Sequence, residues 1–380
     1  SGLFFAFSGL SSWHLLTLSA MLGGLWVLYA WLVERQAWSE QAWRALIVLG
    51  VTTAVLTGPL LLPLAREMLA SPAGQDPYLA KESETQTDLT AYFLPNLYHP
   101  LWGDAATPVH RRFLRNKDHA VALGYVPLAL VIYGLWRWRQ NRKGQFWLIA
   151  FLIFWVLALG PFPRINGRPF PNIPLPYRLV GWSLPVRSLR NPARFNIMVG
   201  LCLALVAGGS ADMIMQRLSK SRVPLGAVVL SFLILFEYWS WPFPTREPEI
   251  PAFYYRLALE AGEFAVADLP ITNDLSKRYM YYQTVHGKQT VTGHVSRPAE
   301  AAYDFIESNG LLRAMWEDGT PGLNGDPASE VAALADAGVR YLIVHKDHMG
   351  DEQVTALESY LPVPTVLADE DVAVYRVALP

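Results

Sequence analysis

The stretch WSLPVRSLRNPARFNIMVGLCLALVAGG, residues 182 to 209, places Arg187, Arg190 and Arg194 within eight residues at the head of an apolar run. A guanidinium is a planar fork of donors that matches phosphate oxygens, so such a cluster without neighbouring acids is a natural receptor for a lipid phosphate or diphosphate. The wider segment 163 to 194 holds six arginines, Arg178 among them, and no Asp or Glu. Ordinary anchoring of helix ends to headgroups is the other use of such charge.

Four further groups have suitable chemistry. Asp88, in TQTDLTAYFLP, is a carboxylate beside aromatics; it can act as a general base on a sugar hydroxyl, hold a divalent cation against a phosphate, or cap a turn. His99 and Trp102, in YHPLWG, can contact an acceptor or a sugar, the indole by stacking and the imidazole by donating, or they can anchor the loop. Glu237, in LFEYWSWP near the end of an apolar run, is costly unless paired and is expected to partner one of the arginines of 163 to 194. The HKDH run at 345 to 348, with His286 and His294, has metal-capable types but no converging set of three or four ligands, so no metal site is assigned. Glycine-rich phosphate loops, HExxH and GxSxG are absent from the sequence.

These residues need elements to position them. Of 380 residues, 52% are hydrophobic and 17% charged, which points to a membrane protein, and a net charge of −1 gives no overall field for nucleic acid. The single cysteine, Cys202, excludes an internal disulfide framework. Six runs, about 13–33, 43–64, 119–136, 146–162, 195–215 and 223–243, are read as spans, with 2–10 as the end of an earlier helix. The chain is therefore expected to continue upstream. Short turns carry Arg35 and Arg44, then Arg137, Arg139, Arg142 and Lys143, then Arg217, Lys220 and Arg222, and the positive-inside rule puts them in the cytoplasm. The connections 65–118 and 163–194 then lie outside, and 87–103, rich in aromatics and proline, reads as an ordered interfacial segment. The transmembrane region is assigned to 1–245. Past the proline-rich SWPFPTREPEIP, residues 246–380 read as an extracytoplasmic α/β domain, with strands at EFAVADLP, KQTVTGHVS and VRYLIVH, helices at AEAAYDFIESNGLLRAMWED and ASEVAALADAG, and a hairpin in TVLADEDVAVYRV.

DLTAYFLPNLYHPLWG, IPLPYRLVGWSLPVRSLRNPARFNIMVG and DLPITNDLSKRYMYYQTVHGKQTVTGHVSRP, with GVRYLIVHKD, together resemble the C-terminal part of bacterial membrane proteins of the GT-C glycosyltransferase superfamily that use polyprenyl-phosphate sugars. The resemblance implies a polytopic α-helical fold in the bacterial cytoplasmic membrane with its C-terminal domain outside. It also implies transfer of a sugar from a polyprenyl-phosphate carrier to a glycan or protein acceptor, without nucleic acid. The family's catalytic acid lies in an earlier outer loop, so that role maps onto no position here and Asp88 stands only as a secondary candidate. A membrane protein that binds or moves lipid-linked glycans without transferring sugar is the alternative.

Overall fold

The computed structural model describes residues 2–35, 38–70, 86–112, 121–137, 142–181, 183, 186, 189, 191–240, 245, 249–294, 303–316, 323 and 325–377. It forms two compact units, 1–245 and 246–380.

The first unit is helical. α1 (Gly2–Ser11) and α2 (Trp13–Leu32) break at Ser12, whose backbone is extended, and α3 (Glu40–Ala70) lies against α1. A methyl group on Gly9 would lie 2.9 Å from the Leu16 side chain and 3.1 Å from that of Thr57, so glycine lets α1 sit close to its neighbours. After the short α4 (Gly103–His110) come α5 (Tyr125–Arg137), α6 (Arg142–Ala158), a single turn α7 (Tyr177–Val180), α8 (Asn196–Met215) and α9 (Val223–Glu237). Phe154, Phe195, Cys202 and Val206 are buried where α6 and α8 meet.

Three stretches are long and apolar enough to cross a membrane: Trp13–Leu32, Glu40–Pro63 and Pro192–Met215. The other three expected spans are shorter apolar helices. α5 begins at Tyr125, because Gly124 takes a left-handed φ of 75° just before it. α6 ends at Ala158, ahead of Gly160, also at φ 75°, and two prolines. α9 stops at Glu237, whose side chain is spent elsewhere.

The unit has two distinct ends. Residues 86–112 and 121–124 contact the start of α5, the end of α6, the start of α8 and the end of α9, through Leu123, Ala158, Asn196 and Phe236. The end of α5 at Arg137, the start of α6 at Arg142 and the basic turn joining α8 to α9 therefore fall at the opposite end of these helices. α2 follows the same sense: His14, near its start, meets Arg194, and Tyr29, near its end, meets Gln145 and Phe146 at the start of α6.

The second unit is a five-stranded sheet in the order β4-β3-β5-β7-β6. β3 (Ala265–Leu269) runs parallel to β4 (Gln289–Thr290) and β5 (Val339–His345), while β7 (Val372–Arg376) is antiparallel to both β5 and β6 (Thr365–Ala368). Period-two alternation in VRYLIVH builds both cores. Tyr341 and Ile343 pack with Phe253, Tyr254 and Leu257 of α10 (Ala252–Leu259) and with Tyr279 and Tyr282 of α11 (Asn273–His286). Leu342 and Val344 join the opposite core, which includes α12 (Asp304–Ser308), α13 (Gly310–Ala314), α14 (Pro327–Asp336) and α15 (Asp351–Tyr360). Within the expected helix AEAAYDFIESNGLLRAMWED, Asn309 interrupts: its side chain accepts from Leu312 N and starts α13 afresh. Residues 295–302, which include the start of that expected helix, lie outside the described residues.

Leu342 is fully buried at the centre of this sheet. Leu342→Ala is expected to lower the stability of the C-terminal unit by about 2–5 kcal/mol, read as a shift in its urea midpoint.

Candidate functional site

The end of the first unit that carries residues 86–112 and 121–124 is built almost entirely from groups that satisfy stray backbone donors and acceptors. Asp88 is buried, and its carboxylate is fully engaged. Oδ1 accepts from Thr90 N at 2.8 Å and Asn166 N at 3.0 Å, and Oδ2 accepts from Gly167 N at 2.7 Å. It thus caps the 3-10 turn Leu89–Phe93 and fixes the tip of a hairpin, β1 (Arg164–Ile165) and β2 (Arg168–Pro169). Both tip residues, Asn166 and Gly167, have positive φ, the Asn-Gly chemistry of a two-residue hairpin. A side chain at Gly167 would strike the Arg112 carbonyl at 2.4 Å. The geometry gives Asp88 an anchoring job, and neither oxygen is left open toward a substrate.

Next to it, Tyr92 O–H donates to Asn196 Oδ1 at 2.7 Å, and Asn196 Nδ2 donates to Thr87 Oγ1 at 2.8 Å, which ties the loop to the start of α8. His99 and Trp102 come together as a stack, with ring centroids 4.6 Å apart and 16° between planes, and both meet Phe236 edge-on. His99 Nε2 lies 2.9 Å from the Phe236 carbonyl and Nδ1 accepts from Leu101 N, so the proton sits on Nε2 and both nitrogens are engaged. Trp102 keeps one partly exposed face.

Glu237 corrects the expectation of an arginine partner. Among the described residues its carboxylate accepts from Tyr125 N and Val126 N, the free donors at the start of α5. The reason is electrostatic: a carboxylate at the negative end of its own helix gains by turning to the positive end of a neighbour. Tyr238 O–H completes the clamp on the Leu123 carbonyl at 2.6 Å.

The arginines do not form one cluster among the described residues. Arg194 is half-buried and turned inward, its Nη1 on the Leu189 carbonyl at 2.7 Å and against His14 Nε2. Arg178 is exposed and donates to the Pro171 carbonyl at 3.1 Å. Arg187 and Arg190 lie outside the described residues.

One feature is absent from the motifs. Among α5, α8 and α9 lies a cavity of about 500 Å³, lined by Pro127 and Leu130 of α5, by Gly200, Ala204, Ala207 and Gly208 of α8 and by Leu230 and Ile234 of α9. α8 and α9 meet closely at the basic end, where a methyl group on Gly226 would lie 3.0 Å from Met215 Sδ, and separate toward Asn196 and Tyr238, which line the other end of the cavity. A second cavity of about 480 Å³ shares Ala122 and Tyr238 with it and reaches Trp102 and Glu237. The small residues of α8, three or four apart, were the available signal. In membrane helices such spacing more often marks tight helix packing.

In the C-terminal unit, Tyr254 O–H donates to Asp268 Oδ1, and His345 Nε2 lies 2.9 Å from that hydroxyl and 3.2 Å from Asp268 Oδ1. All three are buried, and the rings of Tyr279 and Tyr282 stack on His345. Burial pushes the Tyr254, Tyr279 and Tyr282 hydroxyls above the ordinary value of 10.0, and it pushes His286 and His348 below 6.5. Among the described residues no group of three or more His, Cys, Asp or Glu converges to hold a metal ion.

No family model matches the chain, and no curated protein matches it.

Asp88→Ala and Asp88→Asn are both expected to loosen the 163–170 hairpin, by about 1.5–3 kcal/mol for a lost charge-assisted hydrogen bond, read as faster proteolysis there and a lower melting temperature. An Asp88→Asn protein with unchanged stability and lost turnover would instead make this carboxylate a base. The C-terminal unit should be most stable between its two sets of shifted groups. As pH falls below about 6.5 the unfolded chain binds protons that the folded His286 and His348 refuse, and above about pH 10 it releases tyrosine protons that the fold retains, so its unfolding midpoint should drop on both sides.

Proposed function

We propose that this chain is part of an integral membrane glycosyltransferase that moves a sugar from a polyprenyl-phosphate carrier to an acceptor outside the cytoplasmic membrane of a bacterium. The observation that carries this reading is the cavity among α5, α8 and α9. Its size falls within the range of small-molecule sites, its lining is almost wholly apolar, and its floor is open to the surroundings at Gly200, Ala204 and Gly208. Such a groove suits a branched hydrocarbon chain. Asn196 and Tyr238 line the end of the cavity that lies nearest in sequence to the arginine-rich segment, whose guanidiniums suit a phosphate headgroup.

In this arrangement the basic turns face the cytoplasm and the opposite end faces outward, consistent with the common sense of α2, α5, α6, α8 and α9 and with the positive-inside rule. The guanidiniums would stabilise negative charge on the departing lipid phosphate as an acceptor hydroxyl attacks the anomeric carbon. Binding or movement of a lipid-linked glycan without transfer is the second reading. That reading requires no base, and Asp88 is held by three backbone donors.

Reconstitution of the full-length protein with a radiolabelled polyprenyl-phosphate sugar separates the two. Ala204→Trp, which fills the groove floor, is expected to lower carrier binding at least about tenfold. The double variant Arg190→Ala, Arg194→Ala should abolish transfer while leaving membrane insertion intact. Carrier binding that depends on the groove, without sugar transfer in the wild-type protein, would establish the second reading; carrier binding indifferent to Ala204→Trp would refute both.

A further inference from the structure

The sheet of the C-terminal unit reverses its winding at one place. From β3 the chain passes through α11 to β4 on one side, then through α12, α13 and α14 to β5 on the other, so β3 and β5 are adjacent parallel strands with diverging connections. In open α/β sheets the carboxyl ends of two such strands are where ligands bind. Asp268 lies one residue from the end of β3, and His345 ends β5.

These two residues and Tyr254 form the base of a layered column. The His345 ring stacks on His348 at 6.2 Å, and His348 Nε2 lies 2.7 Å from Arg278 Nη1 and 3.2 Å from Asp347 Oδ2. The upper groups reach solvent: the side chains of Arg278 and Asp347 are 47% and 42% exposed and that of His348 is 20% exposed. Tyr281, three residues from Arg278 on α11, exposes its ring. Beneath them, Asp268 Oδ2 has no hydrogen-bond partner among the described residues, although Asp268 is 1% exposed. A buried carboxylate oxygen left unsatisfied calls for a partner that the described residues do not supply.

We infer that the C-terminal unit carries its own carbohydrate site at this switch point, in which Arg278, Asp347 and His348 hydrogen-bond sugar hydroxyls, Tyr281 offers a stacking face, and Asp268, His345 and Tyr254 position the rim. The chemistry of the rim selects this class. One cation, one anion and one imidazole give donors and acceptors in near balance, which suits hydroxyls that both give and receive hydrogen bonds. A phosphate or carboxylate ligand would meet Asp347 at the rim and Asp268 below it without a matching excess of positive charge. The inference deepens the acceptor half of the proposed transfer reaction, but it concerns binding of a soluble glycan and requires neither lipid nor turnover.

The test uses the full chain in lipid nanodiscs and a panel of neutral disaccharides built from glucose, mannose and galactose, with saturation-transfer NMR as the readout. At least one disaccharide should bind saturably, and Arg278→Ala, Asp347→Ala and Tyr281→Ala should each weaken it at least about fivefold, while Glu352→Ala on α15 leaves it unchanged. Because the three rim residues are exposed, their variants should keep the wild-type melting temperature. In Asp268→Asn, the His348 ring resonance should move together with the loss of affinity, the signature of positioning rather than of general destabilisation. Absence of binding across the panel, binding indifferent to the rim variants, or inorganic phosphate displacing the sugar would overturn the inference. Loss of lipid-carrier binding in Ala204→Trp with disaccharide binding retained would separate this site from the groove among α5, α8 and α9.

Discussion

The first unit depends on one constraint: a helix end shut away among apolar side chains leaves backbone donors and acceptors that water does not reach, so the chain must satisfy them itself. Carboxylates and amides at one end of the bundle do this over long sequence distances. Glu237 serves the start of α5, Asp88 serves a hairpin nearly eighty residues downstream, about the separation set by Asn166 and Gly167, and Asn196 binds the start of α8 to the loop before α4. Each of these groups has titratable or polar chemistry that suggests catalysis when read in isolation. In the fold, most of that chemistry is used to hold helix ends and loops in register.

This explains what was legible in the sequence and what was not. Long apolar runs revealed the main helices of the first unit, and VRYLIVH revealed a strand buried on both faces, because hydrophobic burial is written locally into residue type. Helix ends were less legible. The left-handed glycines Gly124 and Gly160 cut short α5 and α6, and α10, α11 and α15 formed from mixed sequences whose apolar positions, such as Tyr254 and Tyr279, pair with a sheet that only the tertiary fold brings near. The partners of Glu237 were illegible for another reason: backbone amides leave no trace in residue type, so a search for an oppositely charged side chain pointed to arginine.

The candidate sites divide along the same line. His99 and Trp102 do come together, three residues apart in a compact turn, yet their stack seals the loop against α9. The cavity among α5, α8 and α9 arises from what is missing, the side-chain volume at Gly200, Ala204 and Gly208, and a search for reactive groups passes over it. In the second unit the opposite holds: His345 and His348 were visible as metal-capable types, but their meaning comes from Asp268 and Tyr254, brought to them by parallel strand pairing.

The groove among α5, α8 and α9, narrow where Gly226 nears Met215 and tied at its far end where Glu237 joins α9 to the start of α5, is exposed along α8 at Gly200, Ala204 and Gly208. Under the proposed function, a hydrocarbon tail enters there from the lipid phase without crossing water, so occupancy would follow the mole fraction of that lipid in the leaflet rather than any dissolved concentration.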